Sequence, residues 1–171
     1  MIYKVKNKKG FSVVEIIIYL AIFTMISLLV INSLIVVMSS FATTRTNIIL
    51  LEAGTNSMER MSRDIRQSKS VDLVNSNLSQ GILQLNSTDL SGNPIVIKFS
   101  SQGSKLNLYQ DGVLSGNLLG QNVALNSLNF RLINTTQSEA LKIKMTIHNI
   151  SNKTIKTVNF YDTIVLRGSY K

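Results

Sequence analysis

The sequence predicts an α+β fold: a long N-terminal helix, apolar in one half and amphipathic in the other, packed on an antiparallel β-sheet head. Three observations carry that prediction. First, no charged residue occurs from Ile16 to Thr44, and fifteen of the residues between Ile16 and Met38 are Ile, Leu, Val or Phe. At 1.5 Å per residue, a helix of that length spans a hydrocarbon core of about 30 Å. Second, helical spacing continues past Met38 to Ser68, and the chain's one proline, Pro94, lies far beyond it. Third, after Lys69 the apolar period falls from about 3.6 to 2, interrupted by turn residues, as in a series of hairpins.

Taken in order, residues 1–10 form a short basic segment, 11–44 the apolar half of the helix and 45–70 its amphipathic half, with 71–171 as the β head. The apolar half gains about 0.3–0.6 kcal/mol of insertion energy from each of its large aliphatic or Phe residues. Asn32 and Ser33 mark a place where it can loosen. In the amphipathic half Leu51, Met58, Met61 and Ile65 recur at helical spacing. Glu52, Glu59, Arg60, Arg63, Asp64 and Arg66 fall largely on other faces, and Glu59–Arg63 is an i,i+4 pair in the favourable order.

In the head, Val71–Val74 and Ile82–Leu85 read as short strands. Gly92-Asn93-Pro94 is a turn that leads into an alternating run, Ile95, Ile97 and Phe99. Ser101–Ser104 joins that run to Leu106 and Leu108, whose neighbours Lys105 and Asn107 point the other way. Asp111-Gly112 is a favoured two-residue hairpin turn. Leu128, Phe130 and Leu132 share a face in the strand Val123–Ile133. Leu141, Ile143, Met145 and Ile147 give the cleanest alternation, with Lys142, Lys144, Thr146 and His148 opposite. A last strand, Ile155–Leu166, places Val158, Phe160, Ile164 and Leu166 together. These connections imply one antiparallel sheet, apolar on the side that the amphipathic helix covers.

The formal net charge is +9, of which Lys4, Lys6, Lys8 and Lys9 supply four; the remaining 14 basic and 9 acidic residues leave +5. Basic residues before the apolar run and mixed charges after it orient the N-terminus to the cytoplasm and the head outward. There is no cysteine, so no disulfide staples the head. One histidine and scattered acids give neither metal-ligand spacing nor a nucleophile–base pair, so the sequence calls for no cofactor and no metal. His148 reads as a surface residue. Five Asn-x-Ser/Thr sequences, at Asn77, Asn86, Asn134, Asn149 and Asn152, read as a polar surface rather than as glycosylation sites.

The stretch Lys8-Lys9-Gly10-Phe11-Ser12-Val13-Val14-Glu15 ahead of the apolar run resembles the N-terminus of type IV prepilins and of type II secretion pseudopilins. The resemblance covers about a quarter of the chain and requires Gly, Phe, Glu and the apolar helix to fall in register. It implies that the basic leader is removed by a prepilin peptidase, which cuts between Gly10 and Phe11 and N-methylates Phe11. It also implies that Glu15 is the assembly residue. The expected partners are that peptidase/N-methyltransferase, other pilin or pseudopilin subunits, an assembly platform and membrane lipid. The expected place is the cytoplasmic (inner) membrane, crossed once with the head exported, and then a filament. A secretory signal peptide has a shorter apolar core and a small-x-small cleavage site after it. An uncleaved membrane anchor needs neither the Gly-Phe junction nor Glu15.

The head's element order, with Asp64-Ile65-Arg66 closing the helix and Val165-Leu166-Arg167 closing the last strand, is more loosely similar to minor pilins and J-type pseudopilins. The C-terminal disulfide loop of one pilin branch and the acidic calcium loop of major pseudopilins have no counterpart here. The implied function is that of a structural filament subunit, not an enzyme. An alternative makes the head a tip module that contacts a surface or DNA through Lys98, Lys105, Arg131, Lys142, Lys144, Lys153 and Lys156, since phosphates need only positive charge. Tyr109 and Tyr161 are the few aromatics placed to stack on bases, so nucleic acid is the disfavoured partner.

Overall fold

The computed structural model describes residues 10, 12–89, 91–134, 138–150 and 155–169. The basic segment with Lys4, Lys6, Lys8 and Lys9, and also Phe11, Lys153 and Asn152, lie outside the described residues. The chain divides into two compact units, Met1–Thr44 and Arg45–Lys171.

In the first unit the helix α1 (Val13–Gln67) begins where the Ser12 carbonyl accepts the N–H groups of Glu15 at 3.0 Å and Ile16 at 3.2 Å. It runs unbroken through Asn32 and Ser33, so the loosening that the sequence allowed does not occur. Several of its hydroxyls bond within the helix, and Thr43 donates to Ser39 O at 3.0 Å. Thr24 donates to Ala21 O, Ser27 to Phe23 O and Ser39 to Val36 O, each at 2.8 Å. Such back-bonding lets polar residues sit in an apolar helix without asking for water. From Ile16 to Thr44 every side chain is exposed except the half-buried Ser27. By length and composition this helix is able to cross a membrane.

In the second unit the remainder of α1 contributes Leu50, Met58, Met61 and Ile65 to one apolar core shared with the strands. Two expectations about this face are corrected. Met58, Met61 and Ile65 are buried as expected, but Leu50 is fully buried whereas Leu51 is 51% exposed, because the stripe continues back from Met58 through the small residues Ser57 and Gly54 to Leu50. Asp64 is buried rather than outward-facing, and the ion pair that forms is Arg60 Nε to Asp64 Oδ2 at 2.8 Å, not Glu59–Arg63.

The strands form two antiparallel sheets instead of the single one expected. The first has the order β1 (Ser70–Val71), β2 (Ile82–Thr88), β3 (Pro94–Gln102), β4 (Lys105–Gln110) and β5 (Val113–Asn117). The second has β6 (Val123–Asn134), β7 (Glu139–Asn149) and β8 (Thr157–Val165). The break has a local cause. The Asn117 side chain accepts the N–H groups of Leu106 and Leu119 and donates to Gly120 O at 2.9 Å. That knot turns the chain away from the edge of β5 and buries Leu119 before β6 begins.

The Asp111-Gly112 hairpin forms as expected, with Gln110 opposite Val113 and positive φ at both turn residues, 50° and 81°. Asp111 Oδ1 also accepts Val96 N–H at 2.8 Å, which supports its unusual backbone. The expected strand Val71–Val74 ends at Val71. Asp72 gathers Val74 N–H at 3.1 Å, Asn75 N–H at 3.2 Å and the Asn75 and Gln84 side-chain amides into a turn, leaving Val74 93% exposed. In β7, Leu141, Ile143, Met145 and Ile147 are fully buried and Lys142 and Lys144 exposed, in the expected register. Thr146 departs from it: the residue is buried, and its hydroxyl bonds Asn159 Oδ1 at 2.8 Å. Asn107 is likewise buried on β4 rather than outward, its amide donating to Gln102 Oε1 at 3.3 Å. The last strand starts two residues later than expected, and Ile155 is exposed.

Candidate functional site

Two places carry the chemistry. The first is the beginning of α1. Glu15 lies in the first helical turn, where a carboxylate is favoured by the unsatisfied N–H groups and the helix dipole. It is half-buried among exposed apolar neighbours, and Tyr19 donates its hydroxyl to Glu15 Oε1 at 2.9 Å. Tyr19 had no assigned role in the sequence, although its position four residues after Glu15 puts the two on one helix face. Gly10 is exposed, with nothing within 4 Å of where a side chain would start.

The second place is the head. Among the described residues, the basic side chains considered for a nucleic-acid face are divided between the two sheets. Arg131 and Lys142 are directly opposite each other, and Lys144 faces Tyr161, all on the outward side of the β6–β7–β8 sheet. Lys144 Nζ lies 5.7 Å from the centroid of the Tyr161 ring, a cation–π contact. Lys98 belongs to the other sheet, opposite Tyr109, and Lys105 sits at the β3–β4 turn. His148 is half-buried opposite Thr157. Of the five Asn-x-Ser/Thr asparagines, Asn77, Asn86 and Asn134 are exposed. Asn149 is buried instead, and its Oδ1 accepts Lys156 N–H at 2.6 Å to close the end of β7 against the start of β8.

A cleft of about 580 Å³ separates α1 from β8. Its floor is Met58 and Phe160, and its rim holds Arg63, Arg66 and Arg167. The Phe160 ring reaches so close to α1 that a Cβ at Gly54 would lie 2.1 Å from it, so only glycine fits there without the ring moving. Asp162 lines the same cleft but is already engaged by the Ser62 hydroxyl at 2.6 Å and by Thr163 N–H at 2.7 Å. No sequence signal pointed to this cleft, since Ser62 and Asp162 are 100 residues apart.

No protein-family model, no curated protein and no solved structure matches the chain.

Proposed function

We propose that the chain is a structural subunit, a minor pilin or pseudopilin, of a type IV pilus-like or type II secretion-like filament. The observation that carries this reading is an apolar helix whose large side chains are exposed from Ile16 to Met38, headed by Gly10-Phe11 and Glu15 in the prepilin register. Apolar surface of that extent requires lipid or the helices of other subunits to cover it. In this reading the leader is removed after Gly10, the helix waits in the cytoplasmic membrane with the head exported, and the helices then pack side by side in the filament core. The chain is a substrate of processing enzymes rather than an enzyme.

Glu15 has a defined part in this reading. Cleavage creates an ammonium on Phe11, and methylation keeps its charge. The Tyr19 hydroxyl holds one carboxylate oxygen within the free subunit. In a filament the other oxygen meets the ammonium of a neighbour, and losing one partner of such a pair costs about 3–5 kcal/mol in a low-dielectric setting. The intact mass of the protein from its native membrane is expected to start at Phe11 with one added methyl group. A mature chain that begins at Met1 or beyond the apolar helix would overturn the assignment. Glu15→Ala is expected to insert and be processed normally but to be depleted from sheared filaments, with Glu15→Asp intermediate. Equal incorporation of all three forms would remove Glu15 from assembly.

A further inference from the structure

The edge of β8 that faces away from β7 has no strand beside it among the described residues. Which main-chain groups point to that edge follows from the ladder. Leu166 N–H donates to Glu139 O at 3.0 Å and Asn149 N–H to Lys156 O at 3.3 Å, while Ala140 stands opposite Val165. In an antiparallel ladder, alternate residues exchange hydrogen bonds with the partner strand and those between them point to the other edge. The even-numbered residues from Lys156 to Leu166 therefore bond β7, and Asn159, Tyr161 and Thr163 direct their N–H and C=O groups outward. Thr163 N–H is capped by Asp162 Oδ1, as expected of an outward group. The N–H groups of Asn159 and Tyr161 have no such cap.

Tyr161 also lines the cleft beside α1. The helical wall from Thr55 to Gln67 runs about 18 Å at 1.5 Å per residue. That matches about five residues of extended chain. Among the described residues no carboxylate lies within 4.0 Å of Arg63, Arg66 or Arg167, because Arg60 takes Asp64 and Ser62 and Thr163 hold Asp162. Glu59 is the other acid on the rim. An exposed strand edge, an apolar floor and three unpaired guanidinium groups on one rim suit a single kind of occupant. We infer that this cleft receives an extended, acidic segment of a partner polypeptide, which adds as a strand to β8 and places its carboxylates against Arg63, Arg66 and Arg167. Main-chain bonds to the edge give such a complex its affinity, and the side-chain rim gives it selectivity. Guanidinium groups suit the role, since each forks onto a carboxylate with two parallel hydrogen bonds. This inference stands independently of the filament reading.

The test uses the full chain in nonionic detergent micelles and a blocked peptide of alternating valine and glutamate, about six residues long. The peptide is expected to bind, to slow hydrogen exchange at the Asn159 and Tyr161 amides, and to bind at least about tenfold more weakly to the double variant Arg63→Gln, Arg66→Gln. Both arginines are exposed, so this variant keeps its fold. Tyr161→Pro removes an edge N–H without removing a hydrogen bond of the β7 ladder and is expected to lose binding. Its melting temperature is expected to be lowered no more than by Tyr161→Ala, which loses the same Lys144 contact but keeps the N–H and is expected to retain binding. Equal binding of the valine–glutamine peptide would overturn the proposal, as would succinate producing the same protection, which would make the cleft a small-anion site. A concentration-dependent dimer that the arginine variant abolishes, without peptide binding, would assign the edge to a second copy of the chain and overturn it too.

Discussion

Met25 and Met61 sit on the same helix and meet opposite fates: Met25 is 71% exposed and Met61 is fully buried. Nothing in helix geometry separates them, since α1 is continuous from Val13 to Gln67. The difference lies in how apolar residues are spaced. In the first unit they occupy every side of the helix, so no single face of the protein's own strands can cover them. In the second they recur on one stripe, and the stripe is buried in the core. One helix therefore has two solvents written into it: its own core at one end, and at the other a medium that the chain does not provide.

The largest effect that tests this contrast is on the core itself. Met61→Ala is expected to destabilise the head by about 2–5 kcal/mol. Met25→Ala is expected to leave head stability within about 0.5 kcal/mol. Denaturant unfolding in micelles, followed by the near-ultraviolet signal of the head tyrosines, measures both. Equal losses would mean that the apolar half is part of the folding core. The adjacent pair Leu50→Ala and Leu51→Ala sharpens the phase of the stripe: the first is expected to cost about 2–5 kcal/mol and the second much less.

A smaller effect is expected at Gly54. Alanine in a helix is worth about 1 kcal/mol over glycine. Here its Cβ would meet the Phe160 ring at 2.1 Å. Overpacking of this kind costs about 1–3 kcal/mol. Gly54→Ala is therefore expected to lower the head's melting temperature, against its helix propensity. The double variant Gly54→Ala, Phe160→Leu is expected to recover part of that loss. A simple stabilisation by Gly54→Ala would show that the ring moves aside freely.

These residues also show how far the sequence could be read. The fold class, the Asp111-Gly112 hairpin and the β7 alternation were legible because each is a local pattern with a local cause. The residue at which the buried stripe begins was not. The stripe reaches Leu50 through Gly54 and Ser57, which meet the Phe160 ring from β8 and the Leu118 carbonyl, the latter accepting the Ser57 hydroxyl at 3.1 Å. A hydrophobic count gives small residues no weight, so by that count Leu51 is as good a start to the stripe as Leu50. The split into two sheets turned on one asparagine side chain, Asn117. Asp72 turned an expected strand into a turn by accepting bonds that a strand residue would not offer. The motif at Gly10, Phe11 and Glu15 was plain in sequence, whereas Tyr19 as the Glu15 partner and the cleft beside β8 needed coordinates. One is a contact the motif does not name, and the other brings together residues 100 positions apart.

The smallest expected effect separates the two units by acid. Asp72 is held below its ordinary value of 3.8 chiefly by the Asn75 side-chain amide, with help from the N–H groups of Asn75 and Val74 and from Gln84, against the opposing effect of desolvation. Asp89 is lowered in the same way, first by the Asn93 side chain and then by the N–H of Asn93. A carboxyl whose pKa is depressed on folding contributes stability that is complete above its unfolded pKa and is lost as pH falls through the folded one. The two turns that follow β1 and β2 are therefore expected to weaken from about pH 3.8 downward, slightly, because both groups are open to solvent. The apolar half of α1 carries no acid between Ile16 and Thr44, so its helicity is expected to be indifferent to the same change. Amide exchange read residue by residue, at neutral pH and in acid, makes the comparison within one molecule. Acid should speed exchange at Val74 and Asn75 and at Ser91 and Asn93, after correction for the intrinsic pH dependence, while residues around Val30 keep their protection. Asp72→Asn should abolish the response at Val74 and Asn75 and leave the one at Asn93 in place. If acid loosens the helix near Val30 as well, the two units share a single stability, and the contrast between Met25 and Met61 is one of exposure alone.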